Sequence, residues 1–407
     1  MYTKTLSEEK PIVMKRRQLF IRQTKYIFVW FCTWLLVSSC HNSSTERYQG
    51  LENLQSIYQD QVNIEYAIGF DVVYHQDWKE LLLFRHYNDF VDTVRYALTS
   101  EEKELVGFDK SHQMVLPVNS IGALSTTQLG MFELLDALEQ LKAIETKRYV
   151  HSQKIIELTE AGAILELAPA GKLNVETTIA SGIEMLMGVG YPNSQNSDYQ
   201  TLQNIGVPVI LNADWQETSL LGRAEWIKLV AVLLNKENEV NDLFSQMVAD
   251  YNQTLALVES TITKGPKTIT GLANGDSWYV SGGNSFANHL LNTVKVDYPW
   301  SETTQTGSIR LDFETVYEQG LTADFWLVPS TAKTLNEIIE ADSRYADFKS
   351  YKTKTIYNIY GRYTPGGGND YYESAIVAPH IVLKDMVRIF HPDLLPDHDL
   401  VYYNQLN

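Results

Sequence analysis

Two periods of apolar residues alternate along this chain. Near the start, from Ile64 to about Arg95, the pattern is strand-like, and "FDVVYHQDWKELLLF" reads as a hairpin. From Met114 strands and helices begin to alternate. A strand over 115–118 leads to a helix over 126–141, a strand over 163–167 leads to a short helix from Val175, and strands over 183–189 and 207–212 follow with helical segments between them. In "ILNADWQETSLLGRAEWIKLVAVLL" the last strand runs into a helix with apolar residues at Ile227, Val230, Ala231 and Leu234, the spacing of a core-facing stripe. The loop between them carries Trp215, Glu217 and Arg223, an odd set for a plain connector. Next, Val240, Phe244, Met247, Val248, Tyr251, Leu255 and Val258 recur at helical spacing until the breaker "KGPK". Alternation then restarts with a strand over 268–273, helices from Ser285 and Phe313, a strand over 325–328, a helix from Leu335, a strand over 355–359 and a last helix over 379–390. The pattern predicts an α/β protein: two lobes with mainly parallel sheets, joined by one long helix.

Length agrees, because 407 residues exceed what one core usually accommodates. The formal net charge of −17, with no Lys/Arg-rich run beyond the first 25 residues, excludes a nucleic-acid partner. The N-terminus reads as an export signal. "MKRRQLFIRQTK" from Met14 is basic, residues 26–37 form an uncharged, mostly apolar run, and "LVSSC" follows. That run is short of the ~20 residues a membrane span needs, so an uncleaved anchor is the lesser alternative. Ser38-Ser39 before Cys40 resembles a bacterial lipobox, which makes Cys40 the lipidated first residue of the mature chain; translation from Met1 or from Met14 gives the same product. Removing residues 1–39 takes away a net +5 and leaves −22. Cys32 goes with the leader, so the mature chain has one cysteine and no internal disulfide. The expected organisation is a signal over 1–39, a polar tether over 40–50, an N-terminal extension over 51–112, an α/β lobe over 113–236, the connecting helix over 237–262 and a second α/β lobe over 263–407.

Catalytic patterns are missing from the sequence. There is no HExxH, no histidine pair at zinc spacing and no GxSxG. "HPDLLPDHD" reads as C-terminal packing, since its prolines break any single ligand-presenting helix face. "GGG" at Gly366–Gly368 lacks the Gly-Lys-Ser/Thr of a phosphate loop. Loop aromatics are more informative. Tyr191 follows a strand, Trp278 and Tyr279 stand beside two glycines, and Arg362, Tyr363, Tyr371 and Tyr372 surround the glycine-rich turn. Strand ends are where α/β lobes bind ligands, so these residues predict a binding surface. "NVETTIASG" and "DFETVYEQG" also echo each other, and place Glu176 and Glu314 in the first turn of two helices.

Taken with these residues, the blocks "GVPVILNADWQETSLLGRAEWIKLVAVLLNKENEVNDLF", "WYVSGGNSFANHLL", "ADFWLVPS" and "GGGNDYYESAIVAPHIVLKDMVRIFHPDLLPDH" resemble the periplasmic substrate-binding proteins of iron-siderophore, haem and vitamin B12 ABC importers, in their Bacteroidetes-type lipoprotein branch. The resemblance implies two Rossmann-like lobes joined by a rigid helix, with an N-terminal β-hairpin extension. It implies a monomer without catalytic residues, cofactor or resident metal, anchored by lipid and facing the periplasm. The cargo would be a ferric chelate or, alternatively, cobalamin or haem, held by Thr126, Thr127, Gln128, Tyr191, Trp215, Arg223, Trp278, Tyr279, Arg362, Tyr363 and Tyr371. Arg362 would face an anionic chelate. Glu176 and Glu314 would dock one lobe each on an inner-membrane ABC permease. Relatives often have a histidine where this chain has Gln128. An exported enzyme or a scaffold lipoprotein on the same fold remains the different-class alternative.

Overall fold

The computed structural model describes residues 58–86, 91–190 and 197–407. The expected leader, the lipidation residue Cys40 and the candidate Tyr191 lie outside the described residues. The N-terminal lobe is built on five parallel strands in the spatial order Leu165–Glu166, Leu141–Ile144, Ile121–Ala123, Met185–Val189, Val209–Asn212. The chain starts at the central strand, winds one way and then the other. Its reversal falls between Ile121–Ala123 and Met185–Val189, which opens a crevice at their carboxyl ends. Met185, Leu186 and Met187 are all buried, as befits a strand covered on both faces.

Two local expectations change. The strand expected over 115–118 splits: Gln113–Val115 joins a different sheet, and the lobe begins at Ile121–Ala123. The helix expected over 126–141 stops at Leu134, because Asp136 takes a left-handed backbone (φ 48°) that no helix continues through. The apolar residues that extended the helical pattern then form the strand Leu141–Ile144, with Lys142 pointing out.

Before the lobe lies a four-stranded sheet rather than a lone hairpin. Phe70–Tyr74, Trp78–His86 and Val91–Thr99 form an antiparallel meander, and Gln113–Val115 adds in parallel. Alternate residues Phe70, Val72, Leu81, Leu83, Tyr96 and Leu98 share one hydrophobic cluster with Trp226, Ile227 and Val230 of the lobe. This sheet explains the odd loop. Glu217 is buried and accepts hydrogen bonds from the amides of Ile68 and Gly69 and from the Trp226 indole. Glu225, fully buried, accepts from the amides of Glu65, Tyr66 and Ala67, and pairs with Lys228. Two carboxylates therefore satisfy the amides of the segment that leads into the first strand. A second buried charge pair, Lys79 with Glu237, ties the sheet to the connecting helix.

That helix is Glu237–Thr261, about 37 Å long at 1.5 Å per residue. Val240, Phe244 and Met247 are buried in the N-terminal cluster, and Tyr251 and Val258 in a second cluster with Leu383 and Val387 of the last helix, Pro379–Phe390. One continuous helix is thus packed into both lobes. The second lobe has parallel strands Thr268–Thr270, Phe325–Leu327 and Ile356–Asn358, closed by antiparallel Asn404–Gln405. Beside it lies a small antiparallel sheet, Leu272–Asn274, Ser277–Ser281 and Ser308–Asp312. The protein is a mixed α/β fold with parallel sheets, as the sequence pattern predicts. "HPDLLPDHD" packs: His398 bonds Asp385, and Asp385 also accepts from the amides of Val401 and Tyr402.

Candidate functional site

The crevice at the strand reversal opens into a cleft of about 780 Å³ that takes residues from both lobes. On the N-terminal side, Ser125 follows the central strand and caps the helix Thr126–Leu134, its Oγ accepting from the Thr127 amide. This cap sets Thr126 and Thr127 on the lining. Thr127 Oγ1 donates to Asp214 Oδ1 at 3.3 Å. Asp214 sits in the turn after the strand Val209–Asn212, on the same lining, and is only 3% exposed. Burial pushes its carboxyl up to about 6, against the pull of Arg223 and Thr127. Trp215 follows it, 38% exposed, with its indole N–H donating to Gly190 O at 2.8 Å. Tyr149 and Tyr199 complete the aromatic part of this wall.

The opposite wall comes from the second lobe, just beyond Ile356–Asn358. Tyr360, Tyr363 and Tyr372 face the cleft together with Asn369. Tyr360 and Tyr363 stand edge to face at 5.2 Å. Burial raises Tyr360 and pushes Tyr372 up to about 12, so both phenols are uncharged donors at neutral pH. The "GGG" turn has its reason here. Gly367 has φ 115°, and a Cβ on Gly368 would fall 2.1 Å from Val150 O of the other lobe. Only glycine lets this wall come so close. Glu373 fastens the same contact. It is 1% exposed, accepts from the amides of His151 (2.7 Å) and Ser152 (2.8 Å), and is pushed up to about 7 by burial.

Of the residues expected to hold cargo, Thr126, Thr127, Trp215 and Tyr363 meet in this cleft. Others are elsewhere. Trp278 is fully buried, donates its N–H to Thr270 O, and packs on Phe313, Trp326, Tyr345 and Phe348. It belongs to a strand rather than a loop, and strand alternation turns Tyr279 out to solvent on the other face, away from the cleft. Gln128 is buried and donates to Gly188 O, bracing its helix on a strand. Arg223 bonds the carbonyls of Asp214 and Trp215 from behind and lies 4.1 Å over the Phe286 ring. Tyr371 leans on Tyr402 and Tyr403 in the second lobe's core. Arg362 is paired with Asp370 at 3.1 Å and is off the lining, which removes it as the partner of an anionic cargo. The sequence reading missed Asp214, Tyr149, Tyr199 and Tyr360. Tyr360 and Asp214 each stand two residues beyond the end of a strand, which was a usable signal; Tyr149 and Tyr199 lie on other elements and carried none.

Glu176 and Glu314 are both exposed and occupy the same position of their helices, the second residue after capping Asn174 and Asp312. The echo ends at its glycine. Gly182 adopts φ 67° after its helix, whereas Gly320 is helical and packs under the Phe348 ring. Among the described residues no helix is long and apolar enough to cross a membrane.

The profile of the family described as "Periplasmic binding protein" matches residues 121–363. An uncharacterized lipoprotein of Methanocaldococcus jannaschii is 22% identical over 84% of this chain and 85% of its own length. The periplasmic haem-binding protein HutB of Vibrio cholerae superposes with a TM-score of 0.51 at 16% identity, over 66% of this chain and 99% of that one. An ABC transporter substrate-binding protein of Listeria monocytogenes gives a TM-score of 0.50 at 13% identity, over 68% of this chain and 99% of that one.

Proposed function

Because the chain belongs to the periplasmic binding protein family, whose members serve as substrate-binding components of importers, we propose that it captures a ferric chelate in the cleft between its lobes and delivers it to an ABC permease. One observation carries this reading: a cleft of about 780 Å³ walled from both lobes by Trp215 and by five tyrosines, 149, 199, 360, 363 and 372. The volume is that of a small-molecule site. Rings from two walls can sandwich a bulky complex, while their hydroxyls supply hydrogen bonds. Haem or cobalamin is the second reading, favoured by the haem-binding protein among the structural neighbours. Lipidation at Cys40 keeps the receptor beside its permease in this scheme, and a relative of nearly the same length carries a lipoprotein name. Glu176 and Glu314 supply one docking carboxylate per lobe. No chemical step is assigned to the cleft.

The test is a tryptophan-fluorescence and absorbance titration of the purified protein with ferric chelates, haem and cobalamin. Saturable binding of one class, weakened by Trp215→Ala and by Tyr363→Ala, supports the assignment. Saturable binding that both variants leave unchanged moves the site out of this cleft.

A further inference from the structure

The charges on the cleft lining are unbalanced in a way that bears on cargo. Its charged residues are Glu145, Asp198, Asp214 and the exposed Lys172. No arginine is among the described lining residues. Arg362 is committed to Asp370. Arg223 lies behind the floor on main-chain oxygens, where it offsets part of the Asp214 charge. Arg148 is exposed, lies over the Tyr149 ring and is not among the described lining residues. Asp214 is the informative member. It is a buried carboxylate on the lining whose Oδ1 takes one hydrogen bond from Thr127 and whose Oδ2 has no hydrogen-bond partner among the described residues. A buried carboxylate without full compensation projects its field into the nearest desolvated space.

We propose that this cleft selects uncharged or cationic metal chelates and rejects anionic ones, with Asp214 the chief determinant of that charge selectivity. The inference rests on the reading that the cleft holds a metal chelate. An anionic catecholate complex or a haem propionate entering here would meet an excess of carboxylate and no dedicated guanidinium, and like-charge juxtaposition in an interface is strongly unfavourable. The tyrosine hydroxyls and rings suit a neutral or cationic surface, since an aromatic face attracts positive charge. The Asp214 carboxyl, at about 6, is ionised at pH 7.5. One unit charge across a partly desolvated cleft is worth on the order of tenfold in affinity.

The experiment uses the full-length protein in detergent at pH 7.5 and three iron complexes of similar size: a cationic ferric tris-hydroxamate, a neutral ferric tris-hydroxamate and a trianionic ferric tris-catecholate. The expected order is cationic and neutral at least tenfold tighter than trianionic, with the cationic preference shrinking as salt is raised. Asp214→Asn should narrow the gap by roughly tenfold. Glu145→Gln, on a half-buried residue, should narrow it in the same direction and stands in if Asp214→Asn does not fold. Tightest binding of the catecholate complex overturns the charge inference and leaves the receptor reading standing. A gap that neither variant changes overturns it as well. Binding of none of the three overturns the chelate reading and takes this inference with it.

Discussion

Glu373 offers a prediction whose sign and size both follow from its surroundings. Its carboxyl sits at the entry to the helix Gln153–Glu160 of the other lobe, accepting the amides of the capping Ser152 and of His151 before it. Asp370 and Glu133 add to the burial that raises it, and His151 lies 3.9 Å from Asp370. Folding moves this carboxyl from 4.5 to about 7. The folded state therefore holds the proton more tightly than the unfolded chain. The stability this group contributes is complete below pH 4.5 and is lost as pH rises through about 7. Between pH 5 and pH 8 the loss comes to about 2.5 kcal/mol. Glu373→Gln removes the titration; its one amide oxygen keeps an acceptor for one of the two amides and its NH2 faces the other, a cost that does not vary with pH and cancels along the series. Urea unfolding of both proteins at half-unit steps from pH 5 to 8 isolates the difference, because other groups, including Asp214, titrate in both and cancel on subtraction. Wild type should lose about 2.5 kcal/mol relative to the variant across that range. Parallel curves would mean that Glu373 is solvated and that the two lobes are not fastened through it. Amide exchange at His151 and Ser152 gives a local reading of the same seam.

Trp278→Ala should cost about 3–5 kcal/mol of stability by opening a cavity in the second lobe, and wild-type cargo affinity in whatever fraction folds is the expected companion result. Glu217→Ala takes the acceptor from the buried Gly69 amide and the buried Trp226 indole N–H, so denaturant unfolding should show a loss of about 2–5 kcal/mol, at roughly 1–3 kcal/mol for each buried donor. Normal stability there would detach the N-terminal sheet from that carboxylate. Glu176→Ala and Glu314→Ala should reduce reconstituted uptake, most in the double variant, without altering cargo affinity; loss of a helix-start charge alone costs only ~0.3–1 kcal/mol in a thermal melt. Cys40→Ser should leave an unprocessed precursor that takes up no radiolabelled lipid, and a labelled product excludes that residue as the anchor.

Periodicity by itself determined the elements that bury a clean face. The helix Glu237–Thr261 was legible because Val240, Phe244, Met247, Tyr251 and Val258 repeat over about five turns, and no tertiary contact is needed to read that stripe. The strand Met185–Val189 and the helix Pro379–Phe390 were legible for the same reason. Local capping chemistry placed Glu176 and Glu314 at helix starts, since Asn174 and Asp312 act within four residues of chain. The cleft was only half legible. An aromatic beside a glycine has one local signature whether it faces a ligand or a core. Trp278 and Tyr363 therefore looked alike in sequence, and only the register of Ser277–Ser281 against Ser308–Asp312 sent the first inward. Arg362 looked free until folding set it beside Asp370, eight residues on across a tight turn. Glu217 stood out in the sequence without a partner to explain it and Glu225 did not stand out at all, because their partners, the amides of residues 65–69, are about 150 residues away. Sequence records which groups need partners. Which partners they receive is decided by contacts distant along the chain, and here those contacts decide which carboxylates hold the fold together and which lie on the cleft.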